Sequence, residues 1–166
     1  MLAGVAACGG SDPSSYAPHD PCTALAISAP AATAVEQDGI ADALVLWRGR
    51  GVSAFDQAAP GPTTIDTAPP PAAIEIRFAG AAAAFHGVYD PASASVLINR
   101  DLVDRSMLAI VIAHEIGHVF GLLHIAADAR LSLMNPGNLV TPPTDADQRA
   151  LEALWGVCAP PAAGTP

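Results

Sequence analysis

The chain has 166 residues and a formal net charge of −9, with sixteen acidic residues against seven arginines and no lysine. This length suits one domain with a substantial core, so we do not expect two. The negative charge repels nucleic-acid phosphates, and we expect no nucleic-acid partner. No stretch offers the roughly 18 uninterrupted apolar residues of a membrane-spanning helix. The composition predicts one soluble domain, which we expect to be monomeric.

Three cysteines leave one over if two form a disulfide. The segment from Val5 to Cys8 resembles the lipobox of bacterial lipoproteins, in which a signal peptide is cut before a lipid-bearing cysteine. Residues 1–7 lack the charged n-region and the full apolar h-region of a signal peptide. We therefore expect either a truncated signal sequence with lipidation at Cys8 or an ordinary disordered tail with a stray cysteine. Under the first interpretation the protein is exported, as a cell-envelope lipoprotein attached to the membrane through Cys8 or as a secreted protein.

The other two cysteines, Cys22 and Cys158, bracket most of the chain. We expect them to form an end-to-end disulfide in an oxidising compartment. Residues 1–20 then form the truncated signal, lipobox and flexible tether. Residues 21–160 form the folded domain, and residues 161–166 form a disordered tail.

The first part of the domain predicts one helix followed by a loop. Thr33 to Glu36 fits a capping box, and an apolar stripe at helical spacing follows at Ile40, Ala43, Leu44 and Trp47. The helix should end in the segment 48–51. Val52 to Phe55 predicts a short extended piece, and the proline-rich stretch 59–71 predicts a surface loop.

The middle of the chain predicts strands. Ile74 to Phe78 alternates apolar and charged residues, the period of a half-buried strand. Ala84 to Tyr89 and Ser95 to Asn99 flank a turn signal at Asp90 to Ser93, which predicts a hairpin.

Two further helices follow. Apolar residues at helical spacing predict one over Arg105 to Phe120, with Asp104 or Ser106 as N-cap. After an irregular stretch, Thr144 caps a third helix that Gly156 closes, with Leu151, Leu154 and Trp155 as its apolar stripe.

The second helix carries a metal-binding pattern, HEIGHVFGLLH over residues 114–124, which matches HExxHxxGxxH. Four residues turn a helix by about 40° net, so His114 and His118 present imidazoles to one point. Glu115 lies beside that point. His124 falls off this face of a continuous helix, so the helix must end before it. Gly121 can take the positive φ that lets the chain turn back.

This pattern and Ser132 to Pro136 resemble the metzincin clan of zinc peptidases, with Met134 matching the methionine of the Met-turn. Residues 144–156 and Ile74 to Phe78 resemble the C-terminal helix and a strand of the matrixin branch. The resemblance implies an α+β, metzincin-like zincin fold over residues 21–160: a mixed twisted sheet, an active-site helix, an N-terminal helix and a short C-terminal helix. It implies Zn²⁺ on His114, His118 and His124, with Glu115 as general base. The substrate would be a peptide or protein lying along the strand near residues 84–89, and residues 135–140 would shape the pocket past the scissile bond.

Two departures leave the subfamily open. Ile125 follows the third histidine, where matrixins have serine and adamalysins aspartate. No tyrosine follows Met134 where astacins and serralysins carry one. His19 and His86 are interpreted as ordinary surface or strand histidines.

Two alternatives to a peptidase stay open. A catalytically idle zinc domain could bind a partner at the cell surface with the same three histidines, although it would not need Glu115. A purely structural lipoprotein would use the second helix only as part of its core.

Overall fold

The structure, a computed structural model, describes residues 18–55 and 72–159. Its elements in chain order are β1 (Leu25–Ser28), α1 (Ala34–Arg48), β2 (Ala72–Ala79), β3 (Gly87–Asp90), β4 (Ser95–Asn99), α2 (Arg105–Val119) and α3 (Asp145–Trp155). The described part is therefore an α+β fold, as the sequence predicts.

The four strands form one mixed sheet in the order β1-β2-β4-β3. β1 is parallel to β2 and β2 is parallel to β4, whereas β3 and β4 pair antiparallel. The predicted hairpin is present, with its first strand beginning at Gly87 rather than Ala84. Asp90 supports the turn by accepting hydrogen bonds from the backbone of Ala92 and the hydroxyl of Ser93. Within this sheet β3 is an edge strand.

The helix termini follow the capping chemistry in the sequence. Thr33 and Glu36 form a full capping box on α1, and Thr144 and Asp147 form one on α3. Of the two N-cap candidates for α2, the structure uses Asp104, whose carboxylate accepts from the backbone of Met107.

Helix α2 lies at the centre of the domain. Eleven of its fifteen residues are buried, so it has more than the single apolar stripe that the spacing predicts. α1 covers one side, where Gly39 admits the side chain of Leu108 so closely that an added Cβ would lie 2.7 Å from it. β3 and β4 also pack on α2. A helix surrounded in this way holds its side chains rigidly, which suits a site built on it.

Two expectations about the first part of the domain are corrected. β1 has no counterpart in the sequence interpretation, because its sheet partner among the described residues, β2, follows more than forty residues later. Val52–Phe55 forms no strand. The segment turns back after α1, where the amide of Val52 donates to the carbonyl of Trp47. Ala54 accepts from the amide of Leu25 and donates to the carbonyl of Pro21.

Cys22 and Cys158 form the expected disulfide, which joins residues 136 positions apart with a Cα–Cα distance of 5.0 Å. This bond points to an oxidising, exported environment. Across residues 18–55 and 72–159, no helix is long and apolar enough to cross a membrane. The lipobox with Cys8, the proline-rich stretch 59–71 and the tail 161–166 lie outside the described residues.

Candidate metal centre

The end of α2 brings the third histidine back to the first two. Gly121 adopts φ +91°, and the amides of Gly121 and Leu122 donate to the carbonyls of His118 and Gly117. These two bonds define a Schellman motif, which ends the helix and reverses the chain. The predicted role of Gly121 therefore has a direct structural basis.

Three imidazole nitrogens converge at this turn. The Nε2 atom of His124 lies 3.1 Å from Nε2 of His114 and 3.2 Å from Nε2 of His118. The three potential ligand atoms all lie within 4.8 Å of one another, and they form a group that could hold a metal ion. His114 is buried, His118 is half-buried and His124 is exposed, so the cluster opens toward solvent on one side.

The second ring nitrogens of the two helical histidines are held by the backbone. Nδ1 of His114 lies 2.8 Å from the carbonyl oxygen of Leu133, and Nδ1 of His118 lies 2.8 Å from that of Leu122. A carbonyl only accepts, so Nδ1 carries the proton and Nε2 of the neutral ring keeps a lone pair for a metal. Burial lowers the pKa of His114 to about 4 and that of His118 to about 3, so both rings are neutral at pH 7.

The Met-turn lies beneath the histidines. Met134 is fully buried, and a Cβ added to Gly117 would lie 2.6 Å from its sulfur. The backbone amide of Ile125, directly after His124, donates to the carbonyl of Met134 at 3.0 Å. Met134 is therefore packed against the helix turn between His114 and His118, and its backbone holds the segment that carries His124.

Asp147 of α3, which the sequence places only in the segment that caps this helix, also fixes the segment 132–134. Its buried carboxylate accepts from the hydroxyl of Ser132, from the amide of Leu133 at 3.0 Å, and from the amide and hydroxyl of Thr144, both at 2.8 Å. Leu133 in turn accepts from His114, so Asp147 acts on the site through one intervening residue. Although burial opposes ionisation, these hydrogen bonds lower the pKa of Asp147.

Glu115 differs from the histidines in its surroundings. It is 1% exposed, and its Oε2 has no hydrogen-bond partner among the described residues. Burial raises the pKa of Glu115 to about 8, against an opposing hydrogen bond from the backbone of Tyr89. A cation held by the neighbouring histidines would act in the other direction, because a nearby positive charge stabilises a carboxylate.

Gly87, the first residue of β3, makes room for Glu115. A Cβ added to Gly87 would lie 3.1 Å from Oε1 of Glu115 and 3.0 Å from the side chain of Val111. Both distances are shorter than ordinary van der Waals contacts. In the sequence Gly87 lies inside the strand predicted from Ala84 to Tyr89, and a glycine in a strand allows close approach, but only the structure identifies what approaches.

The histidine cluster fits a tetrahedral ion. Nitrogens about 2.0–2.1 Å from zinc in a tetrahedral site lie about 3.3–3.4 Å apart, close to the two measured separations. Neutral imidazoles and the absence of a fourth protein ligand among the described residues suit zinc with one open position. The geometry does not distinguish zinc from other divalent metals that imidazole binds.

A small cavity adjoins this site. Its volume is about 10 Å³, and it is lined by His86, Val111, His114, Glu115, Gly137 and Asn138. His86, interpreted from sequence as an ordinary strand histidine, therefore faces the same space as a metal-site histidine and Glu115. A larger cavity of about 560 Å³ lies where α1 and α2 meet the segment 139–142, and none of the three histidines or Glu115 lines it. We assign the chemistry to the smaller cavity because His114, one of the three metal-site histidines, and the carboxylate of Glu115 line it.

In comparisons with known proteins, no protein-family model and no curated protein matches the chain. The site is therefore interpreted from its own geometry.

Proposed function

We propose that the protein is a zinc-dependent endopeptidase with a metzincin-like, matrixin-like catalytic domain. The observation that carries the proposal is the convergence of three imidazole nitrogens beside a buried carboxylate with an unpartnered oxygen. A site that only holds a metal needs the three histidines. Burying Glu115 next to them with no partner for Oε2 costs free energy that metal binding does not require, which favours a catalytic use.

Each residue then has a distinct task. His114, His118 and His124 hold the ion through Nε2, and Met134 and Gly121 position them. A bound zinc ion would supply a water of lowered pKa and polarise the carbonyl of the scissile bond. Glu115 would take the proton from the attacking water and pass it to the departing amine.

The position of β3 supports a peptide as substrate. β3 is the edge strand of the described sheet, and a backbone hydrogen bond from its residue Tyr89 reaches Glu115. An extended peptide adding to this edge would place its main chain next to the glutamate. The Cys22–Cys158 disulfide supports export, and lipidation at Cys8 completes the proposal for a cell-envelope enzyme.

The decisive experiment compares the parent with Glu115→Gln and His118→Ala. Metal content after dialysis is measured by mass spectrometry, and cleavage is measured on a random peptide library. We expect about one zinc per chain and cleavage in the parent. Glu115→Gln should keep the zinc and lose roughly 10²- to 10⁴-fold in rate, the usual worth of general-base assistance. His118→Ala should lose both zinc and cleavage.

The alternatives give different results. An idle binding domain holds zinc in the parent and cleaves no peptide in any form. A structural lipoprotein holds no zinc at all. If Glu115→Gln cleaved as fast as the parent, the base would be another residue and the assigned mechanism would be wrong.

A further inference from the structure

The cavity beside Glu115 has room for about one water-sized group, so any group bound there must contact its polar lining directly. The polar side chains in that lining are His86, His114, Glu115 and Asn138. Their existing hydrogen bonds decide which of them can act on a bound molecule.

The polar side-chain atoms of Asn138 and His114 already have partners. The amide nitrogen of Asn138 donates to the carbonyls of Leu133 and Thr141 at 3.0 and 2.7 Å, and its oxygen accepts from the amides of Val140 and Thr141. His114 uses Nδ1 on Leu133 and directs Nε2 at the other histidines. Glu115, as a carboxylate, accepts hydrogen bonds and cannot donate them.

His86 is the remaining donor. Among residues 18–55 and 72–159, its ring makes no hydrogen bond with another group. The ring is half-buried, and a neutral imidazole has one N–H to donate.

The backbone around His86 is held firmly, so its ring does not lie on a loose loop. The amide of Asn99, at the end of β4, donates to the carbonyl of His86 at 2.8 Å. The buried side chain of Asn99 donates to the carbonyl of Phe85 at 2.9 Å and accepts from the amide of Ala81 at 3.2 Å. Three bonds from one residue therefore fix the segment before β3 relative to the sheet.

We propose that His86 is a catalytic residue of the peptidase, donating a ring N–H to the carbonyl oxygen of the scissile peptide bond. The inference rests on the proposed function and assigns a residue that the metal-binding motif does not contain. Peptide hydrolysis places negative charge on that oxygen, and a donor held ready for it stabilises the transition state more than the bound substrate. Loss of His86 should therefore lower kcat and leave KM nearly unchanged.

The test uses the zinc-loaded protein with His86→Phe, which removes the donor, and His86→Gln, which restores an N–H. Rates are measured on a peptide that the parent cleaves. Removing one such donor typically costs about 10²- to 10³-fold in kcat, so we expect a loss of that order in His86→Phe and partial recovery in His86→Gln. Calorimetry with a phosphinic peptide, whose tetrahedral anionic group resembles the transition state, should give at least about a tenfold weaker Kd for His86→Phe.

His19→Gln is the matched control, because His19 is the other histidine outside the triad and its ring bonds to Thr23 instead. It should keep the kcat of the parent, and all variants should keep the zinc.

If His86→Phe kept the parent kcat, the inference would be wrong while the proposed function stood. Equal loss in His86→Phe and His86→Gln, together with lost zinc or a lowered melting temperature, would show a structural role and also overturn it. A zinc-loaded parent that neither cleaves peptides nor binds the phosphinic peptide would reject the proposed function, and the inference with it.

Discussion

The two sides of the site differ in how they are held. On the histidine side, the second ring nitrogens of His114 and His118 are each fixed by a carbonyl, and Asp147 fixes the Met-turn beneath them. On the glutamate side, one carboxylate oxygen has no described partner, and Glu115 is confined by close packing against Gly87. Hydrogen bonds therefore position the metal-binding groups, whereas Glu115 is positioned by one backbone hydrogen bond, from Tyr89, and by close packing. Metal retention and catalysis should consequently respond to different substitutions.

The largest effect on stability is expected from the Cys22–Cys158 disulfide. Replacing both Cys22 and Cys158 by serine releases a loop of 136 residues, which in a loop-entropy treatment costs about 4–5 kcal/mol. Urea unfolding of the oxidised parent and the double variant measures this cost. Both proteins should bind zinc equally under native conditions, because the metal-binding group consists of three histidines and includes neither cysteine. Equal unfolding midpoints would contradict the prediction, and reduction of the parent provides an independent control.

Asp147→Ala tests the hydrogen-bonded side directly. The substitution leaves the hydroxyl of Ser132 and the amides of Leu133 and Thr144 without their acceptor. Unsatisfied buried donors cost about 1–3 kcal/mol each and are not additive, so we expect a total loss near 3–4 kcal/mol. Because Leu133 holds His114, zinc affinity should also fall, by roughly 10- to 100-fold, as for other groups that orient metal ligands.

The control for Asp147 is Asp145→Ala in the same helix turn, since Asp145 is exposed and bonds to Arg50 at the surface. Calorimetric unfolding and competition with a zinc-binding dye measure the two quantities. If Asp147→Ala unfolded more easily but bound zinc as tightly as the parent, the contacts from Asp147 through Leu133 to His114 would not affect zinc affinity.

The sequence predicts the parts of this arrangement whose signals are local. Capping boxes, helical spacing and the HExxHxxGxxH pattern lie within a dozen residues or fewer, and each corresponds to an observed helix, turn or cluster. Gly121 could be assigned a positive φ because the third histidine requires a chain reversal. Patterns of this kind determine the local structure without contributions from distant residues.

The features that the sequence does not predict depend on distant partners. β1 has four residues and is defined by its pairing with β2 across a long connection. Asp147 reads as a capping residue, and the same carboxylate also binds the Met-turn about fourteen residues earlier. His86 and Gly87 become informative only when β3 is placed against α2. Such roles arise from packing between elements, on which a single sequence carries little information.

Acid should weaken the histidine side through Asp147. Its folded pKa lies below the unfolded value of about 3.9, so its contribution is complete above that pH and is lost as pH falls through the folded pKa. Melting temperature between pH 5 and pH 2 should therefore fall in the parent, and by less in Asp147→Asn, which has no charge to lose. Parallel curves for the two proteins would contradict this assignment.

The smallest expected effect tests the glutamate side. In Gly87→Ala the new methyl group meets Oε1 of Glu115 at 3.1 Å, so the carboxylate must shift by a few tenths of an ångström. A small displacement of a catalytic group can be expensive in rate, and we expect a loss of about 10-fold in kcat, equivalent to about 1.4 kcal/mol. Zinc content should not change, because the histidines and their carbonyl partners lie on the other side. Gly80→Ala is the matched control: an added Cβ at Gly80 meets no described atom within 4 Å, so the parent rate should persist.

Zinc loss in Gly87→Ala would show that the two sides are not independent, since shape on the glutamate side would then also position the histidines. An unchanged rate with unchanged zinc would show instead that Glu115 adapts to the methyl group, and that close packing is not what holds it in place.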